Sequence, residues 1–228
     1  MAIPVRFEAL LKHPAPGLRF PPHKFAGTGE YILPVRHRPG PPATPTEIDA
    51  LRELTSASPA AQAQLLEFYR RYNGVDLCCS PDILNGGEAA ALSILPIERW
   101  EPETAELLDT DLAWMLEGVE EMYRPGNFLT IGANNSERTR LTLFTAGEYD
   151  GEALAGRVYC VAVDPVVGFT EVLAPSFYHL LDGFADDPAA FLKKIGYCHA
   201  VPGESGSVYG AVADEYLPDI RGLANVVR

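Results

Sequence analysis

Ten of the chain's 20 prolines fall within its first 45 residues, out of 228. Proline removes a backbone donor and fixes φ, so a segment such as PVRHRPGPPATP can sustain neither a helix interior nor a central strand. This density predicts a mostly extended arm over residues 1–45, with the fold proper beginning after it. The charge changes at the same place. The arm carries 6 Lys+Arg against 2 Asp+Glu, a local +4, so the remaining 183 residues carry −17 of the net −13. Phe7, Leu10, Leu11, Phe20, Phe25 and Tyr31 give the arm apolar content with no core of its own. The arm is therefore expected to pack on its own domain, with a tether to partners as the alternative.

The 31 Asp+Glu against 18 Lys+Arg argue against a phosphate-backbone binder, which needs clustered cations. A basic partner suits the chain better. No stretch reaches the length of uncharged apolar sequence that a membrane span requires, and MAIPVRFEALLKHP lacks the apolar core of a signal peptide. A cytoplasmic protein without membrane contact is expected. The four cysteines, at 78, 79, 160 and 198, are too sparse for a disulfide scaffold and are expected as thiols.

Beyond the arm, the periodicity predicts an α+β domain over residues 46–196, with a mostly antiparallel sheet, flanking helices and a C-terminal extension over 197–228. Thr46 with Asp49 reads as a capping box for a helix through Leu54, bearing Ile48, Leu51 and Leu54 on one face. Ser58 and Pro59 open a second helix, with Ala61, Leu65, Phe68 and Tyr72 at helical spacing, and Asn73-Gly74 stops it. VDLCCS (75–80) and ALSILPI (91–97) read as short strands. Pro102 opens a third helix with the stripe Leu108, Leu112, Met115, Val119 and Met122, closed by Pro125-Gly126. FLTIG (128–132), RLTLFTAG (140–147), RVYCVAVD (157–164) and TEVLA (170–174) form a run of strands joined as hairpins. Pro175 and Pro188 then open two closing helices, the second ending at Gly196.

Motifs for catalysis are absent from the sequence. There is no glycine-rich nucleotide loop, HExxH, paired CxxC or GxSxG, and the nearest approach, Gly203 through Ser207, lacks its final glycine. Cys78 and Cys79, adjacent in a strand, point to opposite faces and make poor ligands for one tetrahedral metal. His179 has no identifiable nucleophile near it in sequence. The expectation is a protein that is not an enzyme, without metal or cofactor.

Charge is concentrated on the third helix and its approach, where residues 98–124 hold 9 Asp+Glu and 2 Lys+Arg, a local −7. Two readings stand. This is the solvated face of an amphipathic helix, or it is a steering surface for a basic partner carried by Glu101, Glu103, Glu106, Asp109, Asp111, Glu117, Glu120 and Glu121. Trp100 and Trp114 belong to the same element as core anchors or as interface anchors.

Five segments, in order, resemble the SUKH superfamily, which groups fungal cell-wall assembly regulators with bacterial toxin-immunity proteins. LLEFYRRYNGVDL (65–77) is similar to the family's second helix and its asparagine-glycine turn, through Phe68, Tyr69, Tyr72, Asn73 and Gly74. ILPIERWEPETAEL (94–107) resembles the Trp-bearing lead into a helix, through Trp100. FLTIG (128–132) resembles the strand ending in glycine, at Gly132, and GRVYCVAVDP (156–165) resembles the next strand. APSFYHLLDGFADDPAAFLKKIG (174–196) resembles the closing helix, through Ser176 and Phe177. The resemblance implies a shared fold and a protein-binding module, and carries over no catalytic residue. For bacterial members it implies neutralisation of a cognate toxin, a basic domain, by direct binding. For fungal-type members it implies regulation or scaffolding with several protein partners. Reversing Glu117, Glu120 and Glu121 to Lys tests the first reading, and deleting residues 1–45 separates the two.

Overall fold

Pro45, Pro59 and Pro188 each open a helix at its first turn, and a stretch without proline permits the first one. In the computed structural model of the protein, which describes residues 2–12, 17–20, 31–81, 88–109, 121–134, 139–162, 170–203, 206–211 and 216–217, helix α1 spans Val5–Leu11. This corrects the extended reading of the N-terminus. Residues 5–13 contain no proline, Pro4 sits at the N-cap, and Ile3, Phe7 and Leu10 recur at the i, i+4, i+7 spacing of one buried helix face. Strands β1 (Gly17–Phe20) and β2 (Tyr31–Pro34) then pair antiparallel, with Phe20 opposite Tyr31. Strand β3 (Arg36–Pro39) follows, flanked by buried Val35. The described part of the arm therefore packs on its own domain, with Phe7 fully buried and Leu11 partly so. Phe25 lies outside the described residues.

Helix α2 spans Pro45–Leu54, two residues out of register with the expected cap. Thr44, not Thr46, is the N-cap, because Pro45 fits N1, where no amide donor is required. The Thr44 amide donates to Oε2 of Glu47 at 2.6 Å and the Glu47 amide donates back to Oγ1 of Thr44 at 3.4 Å, a complete capping box. Helix α3 (Pro59–Tyr69) begins after Ser58 as expected and buries Ala61, Leu65, Phe68 and Tyr69.

The main sheet has strand order β12-β11-β8-β7-β6-β4-β3, with β4 at Val75–Pro81, β6 at Leu92–Ile94, β7 at Phe128–Asn134, β8 at Thr139–Phe144, β11 at Val158–Ala162 and β12 at Thr170–Ala174. Strand β5 (Glu88–Ala89) adds to β4 off this path. All its pairings are antiparallel, so the hairpin wiring expected for residues 128–174 holds. The antiparallel sheet with flanking helices is an α+β fold. A short hairpin of β9 (Glu148–Tyr149) and β10 (Glu152–Ala153) projects between β8 and β11. Helices α5 (Phe177–Asp186) and α6 (Pro188–Lys194) follow β12, capped by Ser176 and Asp187 rather than opened by Pro175. The C-terminal extension forms the hairpin of β13 (Cys198–Gly203) and β14 (Gly206–Ala211), and β15 (Tyr216–Leu217) joins β1.

Strand alternation divides the interior in two. Leu129, Ile131, Leu141, Leu143, Val158 and Cys160 face a large core shared with α1, α2, α3, α5 and α6. Phe128, Phe144, Tyr159 and Val161 face the other way, into a smaller cluster with Leu107, Met122, Tyr123 and Leu154. Each fully buried Leu or Phe on either side contributes ~1.5–3 kcal/mol of transfer free energy. The third helix is shorter than its apolar stripe predicts. After a 3₁₀ turn at Ile97–Arg99, α4 runs over Trp100–Leu108 with Pro102 in its first turn, and Asp109 turns to extended backbone at φ −65° and ψ 150°. Leu112, Trp114, Met115 and Val119 lie outside the described residues, whereas Met122 is buried in the smaller cluster.

Candidate partner-binding surface

The residues that carry the family resemblance form a structural knot. Phe68 is fully buried, with ring centroids 5.0 Å from Tyr69 and 5.1 Å from Phe177. Tyr69 stands edge-on to Trp100 at 5.1 Å and 89°. Its hydroxyl donates to the Leu95 carbonyl at 2.7 Å, and the Trp100 indole donates to the same oxygen at 3.2 Å, so both lone pairs are used. Burial pushes the Tyr69 phenol far up, which keeps that donor protonated. Tyr72 is half-buried against Phe68 at 5.7 Å.

Asn73 ties three segments together. Its Oδ1 accepts from the Ile97 amide at 3.0 Å, its Nδ2 donates to Glu47 at 2.8 Å and to Glu98 at 3.3 Å, and its own amide donates to the Pro41 carbonyl at 2.6 Å. Gly74 follows at φ +85°, and a Cβ there would stand 2.8 Å from the Ile94 carbonyl oxygen. Gly132 is similar in kind: a Cβ would come within 3.0 Å of the Ser93 carbonyl oxygen on the adjoining strand. Trp100, with no exposed surface, is a core anchor. Trp114 lies outside the described residues.

The acidic residues separate by environment. Glu101, Glu106, Asp109 and Glu121 are exposed. Glu103, expected on the same outward surface, is instead 5% exposed, because α4 turns that position onto the sheet. Its Oε2 lies 3.1 Å from Nε of Arg140, itself 8% exposed on β8, and its Oε1 accepts from Arg99. Arg140 also reaches Glu106 at 3.5 Å. Below this pair the Thr130 amide donates to Oγ1 of Thr104 at 2.8 Å, which fixes α4 against β7. Asp111, Glu117 and Glu120 lie outside the described residues.

The sequence reading passed over a second group of carboxylates. Glu148, Asp150 and Glu152, with Tyr149 at 37% exposure, are all exposed on the β9–β10 hairpin. Asp150 and Gly151 have φ of 53° and 77°, the pair of positive angles that suits a two-residue hairpin turn. The Asp-Gly dipeptide was the available signal. Leu154, Met122, Tyr123 and Leu107 share one cluster, so the hairpin, Glu121 and the end of α4 with Asp109 lie around the same apolar centre. Arg157 answers Glu152 at 2.6 Å. On the β3–β4 side, by contrast, charge is balanced: Arg36 makes two hydrogen bonds to Glu88, at 2.7 and 2.6 Å, and Arg38 pairs with Asp76 at 2.7 Å.

Ser176 and His179, set apart in the sequence reading, meet in the structure. Oγ of Ser176 caps α5 by accepting the His179 amide at 3.4 Å, and lies 2.8 Å from Nδ1 of the imidazole. Cys78 is buried in the main core and Cys79 lies beside the Arg36, Arg38, Asp76 and Glu88 charges, so the two thiols diverge. Burial pushes the Cys79 thiol up to about 11 and Cys78 further. Among the described residues no group of three or more His, Cys, Asp or Glu could hold a metal ion, and no helix is long and apolar enough to cross a membrane. No protein-family model matches the chain, and no curated protein matches it.

Proposed function

We propose that the chain is a non-catalytic, SUKH-like protein-binding module of the cytoplasm, an immunity protein that neutralises a cognate toxin through its acidic surface. The observation that carries this reading is the set of exposed carboxylates around the smaller cluster: Asp109, Glu121, Glu148, Asp150 and Glu152, extended along α4 by Glu101 and Glu106. Arg157 and Arg99 are engaged with Glu152 and Glu103, which leaves the surface negative in balance. Such a field draws in a basic domain and can occupy a groove built for phosphates. The resemblance in residues 65–77 and 94–107 supports the same reading, because Asn73, Gly74, Tyr69 and Trp100 hold the lead into α4 and thereby set the direction of its outer face.

The test begins with affinity purification at low and at high salt. The expected result is one stoichiometric basic partner whose capture weakens as salt rises. Association kinetics with that partner then decide the surface. Glu101→Lys, Asp109→Lys and Glu121→Lys together slow association roughly tenfold or more at low salt, within the range of electrostatic steering. Unchanged kinetics remove this surface from the interface.

A further inference from the structure

An aspartate followed by glycine can close on itself, because glycine has no side chain to hinder attack of its amide nitrogen on the neighbouring carboxyl carbon. The chain has two such pairs, Asp150-Gly151 and Asp182-Gly183. They lie in opposite environments. Gly183 is interior to α5, beside buried Phe184, and gives its amide to the helix ladder. Gly151 is exposed in the turn of the β9–β10 hairpin, and its amide donates to no acceptor among the described residues. The related pair Asn73-Gly74 is tied down, by the side-chain bonds of Asn73 and by the Gly74 amide, which donates to the Tyr72 carbonyl at 3.0 Å. Asn85-Gly86 lies outside the described residues. The hairpin that carries Asp150 is also weakly held. Strands β9 and β10 have two residues each, are exposed along their length, and pair only with one another among the described residues. A lone two-stranded hairpin is marginal in water, so this turn can open while the main sheet stays closed. Its anchors are at the base. Leu154 is buried and donates its amide to the Gly147 carbonyl at 3.0 Å, and Arg157 pairs with Glu152.

We propose that Asp150-Gly151 is a site of spontaneous backbone modification, which converts to isoaspartate through a cyclic imide while Asp182-Gly183 stays intact. The Gly151 nitrogen attacks Cγ of Asp150. The N–Cγ bond forms, a Cγ–O bond breaks, and the hydroxyl of the protonated carboxyl leaves with the amide proton as water. Water then adds to one of the two imide carbonyls and cleaves its bond to nitrogen. Opening at Cγ restores aspartate, whereas opening at the backbone carbonyl leaves the chain running through Cβ and Cγ. The sequence releases one water and takes one back. Isoaspartate keeps the carboxylate, so the charge of the hairpin is unchanged. Its backbone is longer by one methylene between Tyr149 and Glu152, which face each other across the strands, and a two-residue turn cannot absorb that without losing its register.

The modification concerns the covalent chain and holds whatever the acidic surface binds. The full chain is kept folded at neutral pH and physiological temperature in heavy-oxygen water, sampled over weeks, and mapped by proteolysis with electron-transfer fragmentation, which distinguishes isoaspartate from aspartate at each position. Heavy oxygen also marks imide that reopens to aspartate. The expected result is conversion at Asp150 roughly tenfold or more faster than at Asp182, the difference between opening a marginal hairpin and opening a packed helix. In concentrated urea the two pairs convert at similar rates. Asp150→Glu, whose longer side chain must form a larger ring, reduces heavy-oxygen uptake by the hairpin peptide to background. Absence of isoaspartate at Asp150, equal conversion of the two pairs in the folded chain, or a difference that persists unchanged in urea each overturns the proposal.

Discussion

Gly74 shows how little choice one position can leave. It holds φ +85° with the Ile94 carbonyl oxygen and the Pro96 nitrogen within 3 Å of where a side chain would begin, so Gly74→Ala meets both backbone strain and a clash. A loss of about 2 kcal/mol or more is expected, read as a lower urea midpoint with unchanged slope. Asn73-Gly74 was readable as a turn from its residue types, but the helix expected to run to it through Tyr72 ends earlier, at Tyr69. The bonds of the Asn73 side chain to Ile97, Glu47 and Glu98 were not readable, since their partners lie 24 to 26 residues away. The carboxyls nearby set the acid response. Hydrogen bonds from the Thr44 hydroxyl and amide hold the Glu47 carboxyl below the ordinary range, and Arg36 does the same for Glu88. In both cases the folded state binds fewer protons than the unfolded one, so this stabilisation is present above the ordinary carboxylate value of roughly 4.3 and is lost as pH falls below it. Urea midpoints measured downward from pH 6 should fall through that window, and less steeply in a Glu47→Gln, Glu88→Gln variant.

At the scale of elements, α4 is held by a buried charge. Removing Glu103 strips the buried Arg140 guanidinium of its 3.1 Å partner and leaves it the longer, 3.5 Å contact to the exposed Glu106. Glu103→Ala is expected to cost ~3–5 kcal/mol, whereas replacing both residues together, as Glu103→Leu with Arg140→Met, comes out near neutral. Chemical denaturation of the three variants checks the contrast, and a double variant as unstable as the single one would contradict it. The sequence indicated a helix here but not its turn toward the sheet. Glu103 reads as one more acid among nine, and Arg140 lies 37 positions away on a strand whose Leu141 and Leu143 face the other core. Strand β4 holds a similar surprise. Leu77 and Cys78 together oppose His37, Cys78 takes φ 52°, and its amide donates to Nδ1 of His37 at 3.2 Å. This two-against-one bulge puts consecutive residues into one core, a departure from alternation that no local pattern announces.

At the scale of the molecule, the α+β class and the strand run over residues 128–174 followed from period and turn residues, because antiparallel neighbours close in sequence need only local signals. The N-terminal segment did not. Its prolines overshadowed a nine-residue proline-free stretch at 5–13 that turns into helix, and its burial depends on surfaces assembled from the rest of the chain. Deleting residues 1–45, considered from sequence as a way to separate two functions, removes Ile3, Phe7, Leu10, Leu33 and Val35 from the main core along with all of β3. The truncated chain is expected to lose cooperative thermal unfolding by circular dichroism. A truncation that kept the transition would return the segment to the role of a detachable arm.

Strand β3 also decides what the sheet can do to other copies of itself. On the described residues β3 pairs with β4 alone, and it presents to its open side a run that ends in Pro39, follows Pro34, and carries Arg36 and Arg38. Proline offers no amide to a newcomer, and the long arginine side chains, tied to Glu88 and Asp76, must be disturbed before another strand can approach. The composition that makes the N-terminus look least like a sheet thus terminates one, and guards that border against fibrillar stacking when the protein is concentrated.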